Sequence, residues 1–271
     1  MQFWGKILEL LNAKMETPTL FGWFHLLFFA LSIIFGVLLC IIFKNPSEKT
    51  ARRVVLVITV ITVLFEVYKQ INYTFSYDGV TITKDFQWYA FPFQFCSMPM
   101  YVGLIAGLFK GRIHKAMCAF LATFAMFAGV CVMVYPAQVF ITTIGINVQT
   151  MICHGSMISV GIFLLGTGYV RSEHKTILRA IPVFASAVLI AMILNEVVYK
   201  SGVLNGETFN MFYISPYYES TLPVYSTVHN SLPYPWGVII YIFGFSLASY
   251  VILLISMLVH KIAAPKRTNK A

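Results

Sequence analysis

Seven apolar stretches, each near the length that crosses a bilayer, dominate this sequence. They run over 21–43, 54–72, 88–109, 116–134, 150–170, 180–199 and 235–260. About 20 residues of helix cover the ~30 Å of hydrocarbon, and in lipid only a helix satisfies every backbone group within one segment. The pattern predicts an all-α polytopic membrane protein, a seven-transmembrane-helix bundle spanning 21–260. Composition agrees: 59% of residues are hydrophobic and 11% charged, against about 25% charged in a soluble domain. No single aqueous core would hide that apolar surface.

The segments outside the bundle are short. In residues 1–20, Trp4, Ile7, Leu8 and Leu11 share a helical face, which predicts a helix lying in the membrane interface. The first long apolar run leads straight into Lys44, unlike the short core of a cleavable signal. Residues 261–271 form a basic tail.

Lysine and arginine set the expected orientation. Alternate loops and the tail carry Lys44, Lys49, Arg52, Arg53, Lys110, Arg112, Lys115, Arg171, Lys175, Arg179, Lys261, Lys266, Arg267 and Lys270. The opposite side has only Lys6, Lys14, Lys84 and Lys200. Under the positive-inside rule the N-terminus lies outside and the C-terminus in the cytoplasm, with the cell (plasma) membrane as the expected location. The net charge of +9 is spread over these loops, so it marks topology and not a face for nucleic acid. The five cysteines, Cys40, Cys96, Cys118, Cys131 and Cys153, all lie in apolar stretches, so no secreted disulfide framework is expected.

Polar groups inside spans are costly and are usually there for a reason. Span two holds Glu66 and Lys69, three apart and able to pair. Span three holds Gln94, Cys96 and Ser97 between Pro92 and Pro99. Span five begins with Cys153 and His154, span six ends with Asn195, Glu196 and Tyr199, and His25 lies near the start of span one. With the topology above, five spans bring these groups to one level in the outer half of the membrane. Each also has a structural reading: an intrahelical ion pair for Glu66 and Lys69, a small buried hydrophobe for Cys96, a satisfied bundle histidine for His154, and a kinked helix for the two prolines.

Taken together, the groups point to cysteine nucleophilic catalysis. A thiol becomes reactive beside a base, and histidine is the usual partner. Glu66, Glu196 or Asn195 is a candidate to orient the imidazole of His154. Backbone N–H groups freed by the prolines, with the Gln94 amide, are candidates to stabilise an oxyanion. A zinc reading through Cys96, Cys153 and His154 lacks any C-x-x-C or H-x-x-x-H spacing, and no P-loop or dinucleotide glycine motif is present, so neither a metal nor a cofactor is expected. The outer loop 200–234 is long enough to cover a site; its Phe212, Tyr213, Tyr217 and Tyr218 are the candidates.

The run Trp88-Tyr89-Ala90-Phe91-Pro92-Phe93-Gln94-Phe95-Cys96-Ser97-Met98-Pro99 resembles the signature of the bacterial YwaF-type integral membrane family. His154-Gly155, the stretch Asn210–Pro216 and Pro235-Trp236 resemble it too. That family is similar to animal transmembrane protein 164, an acyltransferase of ether phospholipids. The resemblance implies that Cys96 accepts an acyl chain, that His154 assists, and that phospholipids and lysophospholipids are the partners.

The expectation is a membrane-embedded acyltransferase (transacylase) with Cys96, His154, Glu66, Glu196 and Asn195 in catalytic roles. Gln94, Lys69, Ser97, His25, Tyr199, Asn210 and Tyr213 would bind substrate, with Lys69 placed to hold a lipid phosphate. The rival expectation is a transporter or sensor of a small solute or protons built on Glu66, Lys69, His154 and Glu196.

Overall fold

The computed structural model describes residues 2–136 and 139–263; the tail beyond Ala263 lies outside the described residues. Among these, six helices are long and apolar enough to cross a membrane. They are α2 (Trp23–Ile42), α3 (Glu48–Thr74), the compound helix Gly111–Val134, α7 (Ile144–Gly166), α8 (His174–Lys200) and α10 (Tyr234–Ala263). The compound helix consists of α5 (Gly111–Phe120) and α6 (Met126–Val134), joined by one π turn at Leu121–Ala125. Six of the seven expected spans are thus continuous helices, and most begin several residues earlier than the apolar runs.

The third span departs from expectation. Instead of a helix over 88–109, it has a lone 3-10 turn at Trp88–Ala90, an irregular stretch, and helix only from Phe95. A second 3-10 turn, Phe95–Ser97, continues as α4 (Met98–Leu108). Proline explains the break. Pro92 removes a backbone donor and pushes its predecessor out of helical conformation, whereas Pro99 falls in the first turn of α4, where its missing N–H costs nothing.

The segment still crosses the bundle. At one end Asp85 N–H donates to the Thr74 carbonyl at 2.9 Å. At the other, Arg52 donates through Nε to the Gly107 carbonyl at 3.0 Å and through Nη2 to that of Leu108 at 2.7 Å. Residues 85–108 therefore run antiparallel to α3 between residues 74 and 52, a length of about 33 Å at ~1.5 Å per residue. Irregular backbone is tolerated at membrane depth only where protein or a cavity surrounds it. Here side chains supply partners: Gln70 Nε2 donates to the Ala90 carbonyl at 2.9 Å, Tyr101 Oη to that of Pro92 at 2.7 Å, and Glu207 Oε2 accepts from Trp88 N–H at 2.9 Å.

These contacts define two ends. The basic end collects the loops after α2, α4 and α7. The hairpin end carries β1 (Phe75–Tyr77) and β2 (Ile82–Lys84), paired antiparallel with Ser76 opposite Thr83. The N-terminal helix α1 (Gln2–Leu11) docks on this hairpin, where a side chain at Gly5 would collide with the Tyr77 ring. The Leu11 carbonyl accepts from Tyr68 Oη at 2.6 Å and Asn72 Nδ2 at 3.2 Å. Phe3, Trp4 and Leu10 stay exposed, together with Lys6 and Glu9, while Ile7, Leu8 and Leu11 are partly covered.

Helix α7 is the hub, with most of its residues buried. It meets α2 so closely that a Cβ at Gly155 would overlap Ser32 Oγ. Ser159 Oγ donates to the Ser32 carbonyl across the same contact at 2.7 Å. Small residues and short interhelical bonds of this kind are how helices associate when lipid removes the hydrophobic drive. Toward the middle of the bundle an aromatic stack of Phe120, Phe124, Phe184 and Tyr241 ties the compound helix to α8 and α10.

Candidate active site

A cavity of about 380 Å³ lies between α3, the broken third crossing and α7. That volume is typical of small-molecule sites, which run to about 300–1,000 Å³. Its α3 wall extends from Val55 to Tyr73, eighteen residues or about 27 Å at ~1.5 Å per residue, so the cavity is long and narrow. Its two halves differ. Toward the hairpin end it is lined by Glu66, Lys69, Tyr73, Tyr89, Gln149, Cys96 and His154; deeper in, by Val55, Ile58, Leu121, Met157 and Val160. Thr59 and Thr62 also line the deep half, but their hydroxyls donate back to the Val55 and Thr59 carbonyls at 2.7 and 2.8 Å. That half is therefore apolar in effect.

Cys96 sits in the first turn of the Phe95–Leu108 helix. It lies deep among protein atoms yet is accessible to solvent-sized molecules, because its side chain faces the cavity. The N–H groups of Ser97 and Met98 donate within the turn, to the Gln94 and Phe95 carbonyls. Those of Phe95 and Cys96 precede the first intrahelical bond and make no backbone bond among the described residues. A helix N-terminus with free donors is suited to negative charge at the sulfur or on an oxygen bound beside it.

His154 is buried on α7 and faces the same cavity. Its Nδ1 lies 2.7 Å from the Thr150 carbonyl. A carbonyl only accepts, so Nδ1 carries the proton and Nε2 is left as a lone-pair base. Nε2 has no partner among the described residues. The expected orienter was a carboxylate or an amide from another helix. The structure supplies a backbone carbonyl one turn earlier on the same helix, and neither Glu66, Glu196 nor Asn195 bonds the ring.

Glu66 instead pairs with Lys69 at 2.8 Å and accepts from Gln70 Nε2 at 2.7 Å. Both members of the pair line the cavity, as do Ser97 and Tyr213. The sequence reasoning missed three more lining residues, Gln149, Tyr73 and Tyr89, and gave Cys153 only a zinc role. Gln149 Nε2 donates to Cys153 Sγ at 3.5 Å, which puts a second thiol in the polar half. The signal was present for α7: 146, 149, 150, 153, 154, 157 and 160 lie on one helical face, and all seven line the cavity.

The stretch from Phe209 to Ser215 reaches the cavity only through Tyr213. It was expected as a cover, but it is a fixed part of the bundle, with Phe209, Met211, Phe212, Ile214 and Ser215 buried. Two side-chain amides clamp it. Asn195 Nδ2 donates to the Met211 carbonyl at 3.0 Å, and its Oδ1 accepts from Met211 N–H at 2.7 Å. Gln94 Nε2 donates to the Asn210 carbonyl at 3.0 Å, and its Oε1 accepts from Phe212 N–H at 2.8 Å. Phe212 and Tyr213 take left-handed backbone, with φ of 59° and 57°, a conformation that costs a bulky residue about 1–3 kcal/mol and persists only when surroundings over-determine it. Both amides thus hold backbone. Asn195 lies outside the cavity, and Gln94 borders it with its amide already engaged. Asn210 turns away too: its Oδ1 accepts from Ser215 N–H at 2.9 Å.

The remaining expected residues lie elsewhere. His25 is buried between Phe21 N–H, which donates to Nδ1 at 3.0 Å, and the Met133 carbonyl, which accepts from Nε2 at 2.8 Å. Both ring nitrogens are occupied, and the ring is outside the cavity. Glu196 forms a separate cluster with Lys200 at 2.5 Å and Tyr217 Oη at 2.6 Å. Tyr199 stacks on Tyr217 there, with ring centroids 3.6 Å apart. The polar level expected from five spans therefore resolves into one cavity fed by three of them, plus structural contacts around it.

Six apolar crossings, a broken seventh and a half-polar, half-apolar internal cavity define a polytopic α-helical membrane protein with a built-in site. The chain belongs to the TMEM164 family, whose sequence model matches residues 20–260. Comparisons with curated proteins and with solved structures find no match.

Proposed function

We propose that the chain is a membrane-embedded acyltransferase that moves a fatty acyl group from a phospholipid to a lysophospholipid through a thioester on Cys96. One observation carries the reading: an accessible thiol and a histidine with a free Nε2 face the polar half of a cavity whose other half is an apolar slot. A lipid ester has that same division, with a polar carbonyl region joined to a hydrocarbon chain.

In the first half-reaction His154 Nε2 takes the Cys96 proton as the sulfur attacks the donor's ester carbonyl. In this reading the N–H groups of Phe95 and Cys96 stabilise the developing oxyanion. The tetrahedral adduct collapses, the C–O bond breaks, and the leaving alkoxide takes the proton from His154. The products are an S-acyl enzyme and a lysophospholipid. In the second half-reaction the hydroxyl of an acceptor lysophospholipid gives its proton to His154 and attacks the thioester. The C–S bond then breaks, and the thiolate recovers the proton. Thr150 keeps the ring in one tautomer throughout. Lys69, neutralised in part by Glu66, offers a point charge to the lipid phosphate. The deep residues Val55, Ile58, Leu121 and Val160 hold the chain. Orientation by the positive-inside rule places this chemistry in the outer half of the cell membrane.

The test is transfer of a labelled acyl chain from phospholipid to lysophospholipid in proteoliposomes of the purified chain. The proposal expects transfer by the wild type, none by Cys96→Ala, and a loss of about 10²–10⁴-fold in His154→Ala, the size of a general-base contribution. Equal transfer by wild type and Cys96→Ala would exclude the thioester. No transfer by any form, with the fold intact, would favour a solute or proton site at Glu66 and Lys69.

A further inference from the structure

A second, larger cavity of about 790 Å³ opens at the basic end between α3, α5 and α8. It shares no lining residue with the candidate active site. Four cationic side chains line it: Arg112 and Lys115 from α5, Arg171 from the loop after α7, and Arg179 from α8. The two acids present do not neutralise them. Glu48 Oε1 accepts from Gly111 N–H at 3.1 Å, and Glu173 meets Arg179 only at 3.6 Å. Arg112, Lys115 and Arg171 form no ion pair among the described residues.

The backbone adds to this field. Helices α3, α5 and α8 all begin at this end, so three positive helix termini converge on the cavity. Neither α5 nor α8 has an acidic residue in its first turn; Glu48 takes only the Gly111 N–H of α5, and other first-turn donors remain. The floor is rigid. His114 is wholly buried, with Nδ1 donating to the Ala106 carbonyl and Nε2 accepting from Tyr169 Oη, both at 2.7 Å.

Lysine and arginine at membrane loops serve topology wherever they project into water. Here they surround a concave space instead, at the ends of the membrane-spanning helices. We propose that this cavity is a binding site for a phosphate group, with Arg112, Lys115 and Arg171 as its ligands. Arginine offers paired donors to phosphate oxygens, and lysine a point charge. Basic pockets between transmembrane helices recognise phosphate headgroups by this chemistry. The same ligands serve a soluble phosphate ester, so the test separates the two sources.

The full-length protein in detergent is examined by native mass spectrometry with dioctanoyl phosphatidic acid, and with dioctanoylglycerol as the phosphate-free control. The proposal expects an adduct with phosphatidic acid alone, weakened about tenfold or more in Arg112→Gln/Arg171→Gln, as loss of charged hydrogen bonds requires. Lys110→Gln/Lys175→Gln removes the same charge from the same end outside the cavity and should leave binding unchanged. Arg112→Lys/Arg171→Lys, which keeps the charge, should retain most of it and controls for folding. Displacement of the lipid by glycerol 3-phosphate or inorganic phosphate would mark a soluble ester as the ligand; failure to displace it would mark a lipid headgroup. Equal binding of the two lipids, or equal weakening by both charge-removing pairs, would overturn the site.

Discussion

Among the described residues, two histidines sit near cysteines in contrasting settings: His154 shares a cavity with Cys96, and His114 lies beside Cys118. Near the basic end Cys118 Sγ lies 3.5 Å from His114 Nε2, one helical turn away on α5. That pair is wholly buried, and both imidazole nitrogens are bonded, to the Ala106 carbonyl and the Tyr169 hydroxyl. Toward the hairpin end, Cys96 and His154 come from different segments and face a common cavity, and His154 keeps Nε2 free. The comparison teaches that proximity of thiol and imidazole does not make a site. What separates the two is an unbonded basic nitrogen and an exposed thiol: Cys118 borders the second cavity but is itself wholly buried.

The sharpest way to break this contrast is to exchange the nucleophiles' fates. Cys96→Ala should abolish acyl transfer in proteoliposomes and His154→Ala should cut it about 10²–10⁴-fold, whereas Cys118→Ala should transfer at close to the wild-type rate. Activity lost in Cys118→Ala with an unchanged melting temperature would erase the distinction.

Next in size come the amide clamps that hold the 209–215 stretch. Asn195→Leu strands a buried N–H and a buried carbonyl of Met211, at about 1–3 kcal/mol for each orphaned group. Thermal unfolding in detergent should show that loss directly. Gln94→Leu should follow the same course, with a smaller drop because the groups it strands are less completely enclosed.

His114→Leu should destabilise by about 1–3 kcal/mol, mainly through the stranded Ala106 carbonyl. It should leave the transfer rate per folded molecule intact, the inverse of the result at His154. Smallest is a pH effect in the hairpin turn, which lines neither cavity. The Asp78 carboxyl is held down at about 2 because it accepts from the Thr81 and Val80 N–H groups and the Thr81 hydroxyl. A depressed pKa contributes stability that is present above the ordinary aspartate value of 3.8 and is lost as pH falls through about 2. Amide exchange at Val80 and Thr81 should therefore lose protection only across that acid window, with the bundle unaffected.

Much of this architecture was legible in the sequence, and the rest failed for identifiable reasons. Apolar run lengths located six spans because lipid leaves the backbone no alternative to helix. Pro92 and Pro99 signalled a disturbed third span, but run length overrode them; Trp88–Gln94 crosses without helix because Gln70, Tyr101 and Glu207 satisfy its backbone from other elements. Depth alone put Cys96, His154, Glu66 and Lys69 at one level, and all four line one cavity. Depth says nothing about azimuth, and neighbours on a helix point about 100° apart. Asn195 and Glu196 therefore could not both face inward, and Glu196 went to the rim with Lys200 and Tyr217. The carbonyls that distinguish His25 from His154 carry no side-chain signature, so which histidine kept a free nitrogen was invisible before the fold.

The most direct test of the central claim is intact-protein mass spectrometry after incubation with phospholipid and rapid quenching. The account predicts an added acyl mass that hydroxylamine removes, present in wild type and Cys118→Ala and absent from Cys96→Ala. An adduct that persists in Cys96→Ala, or no adduct on the wild type under conditions where it transfers acyl chains, would contradict it.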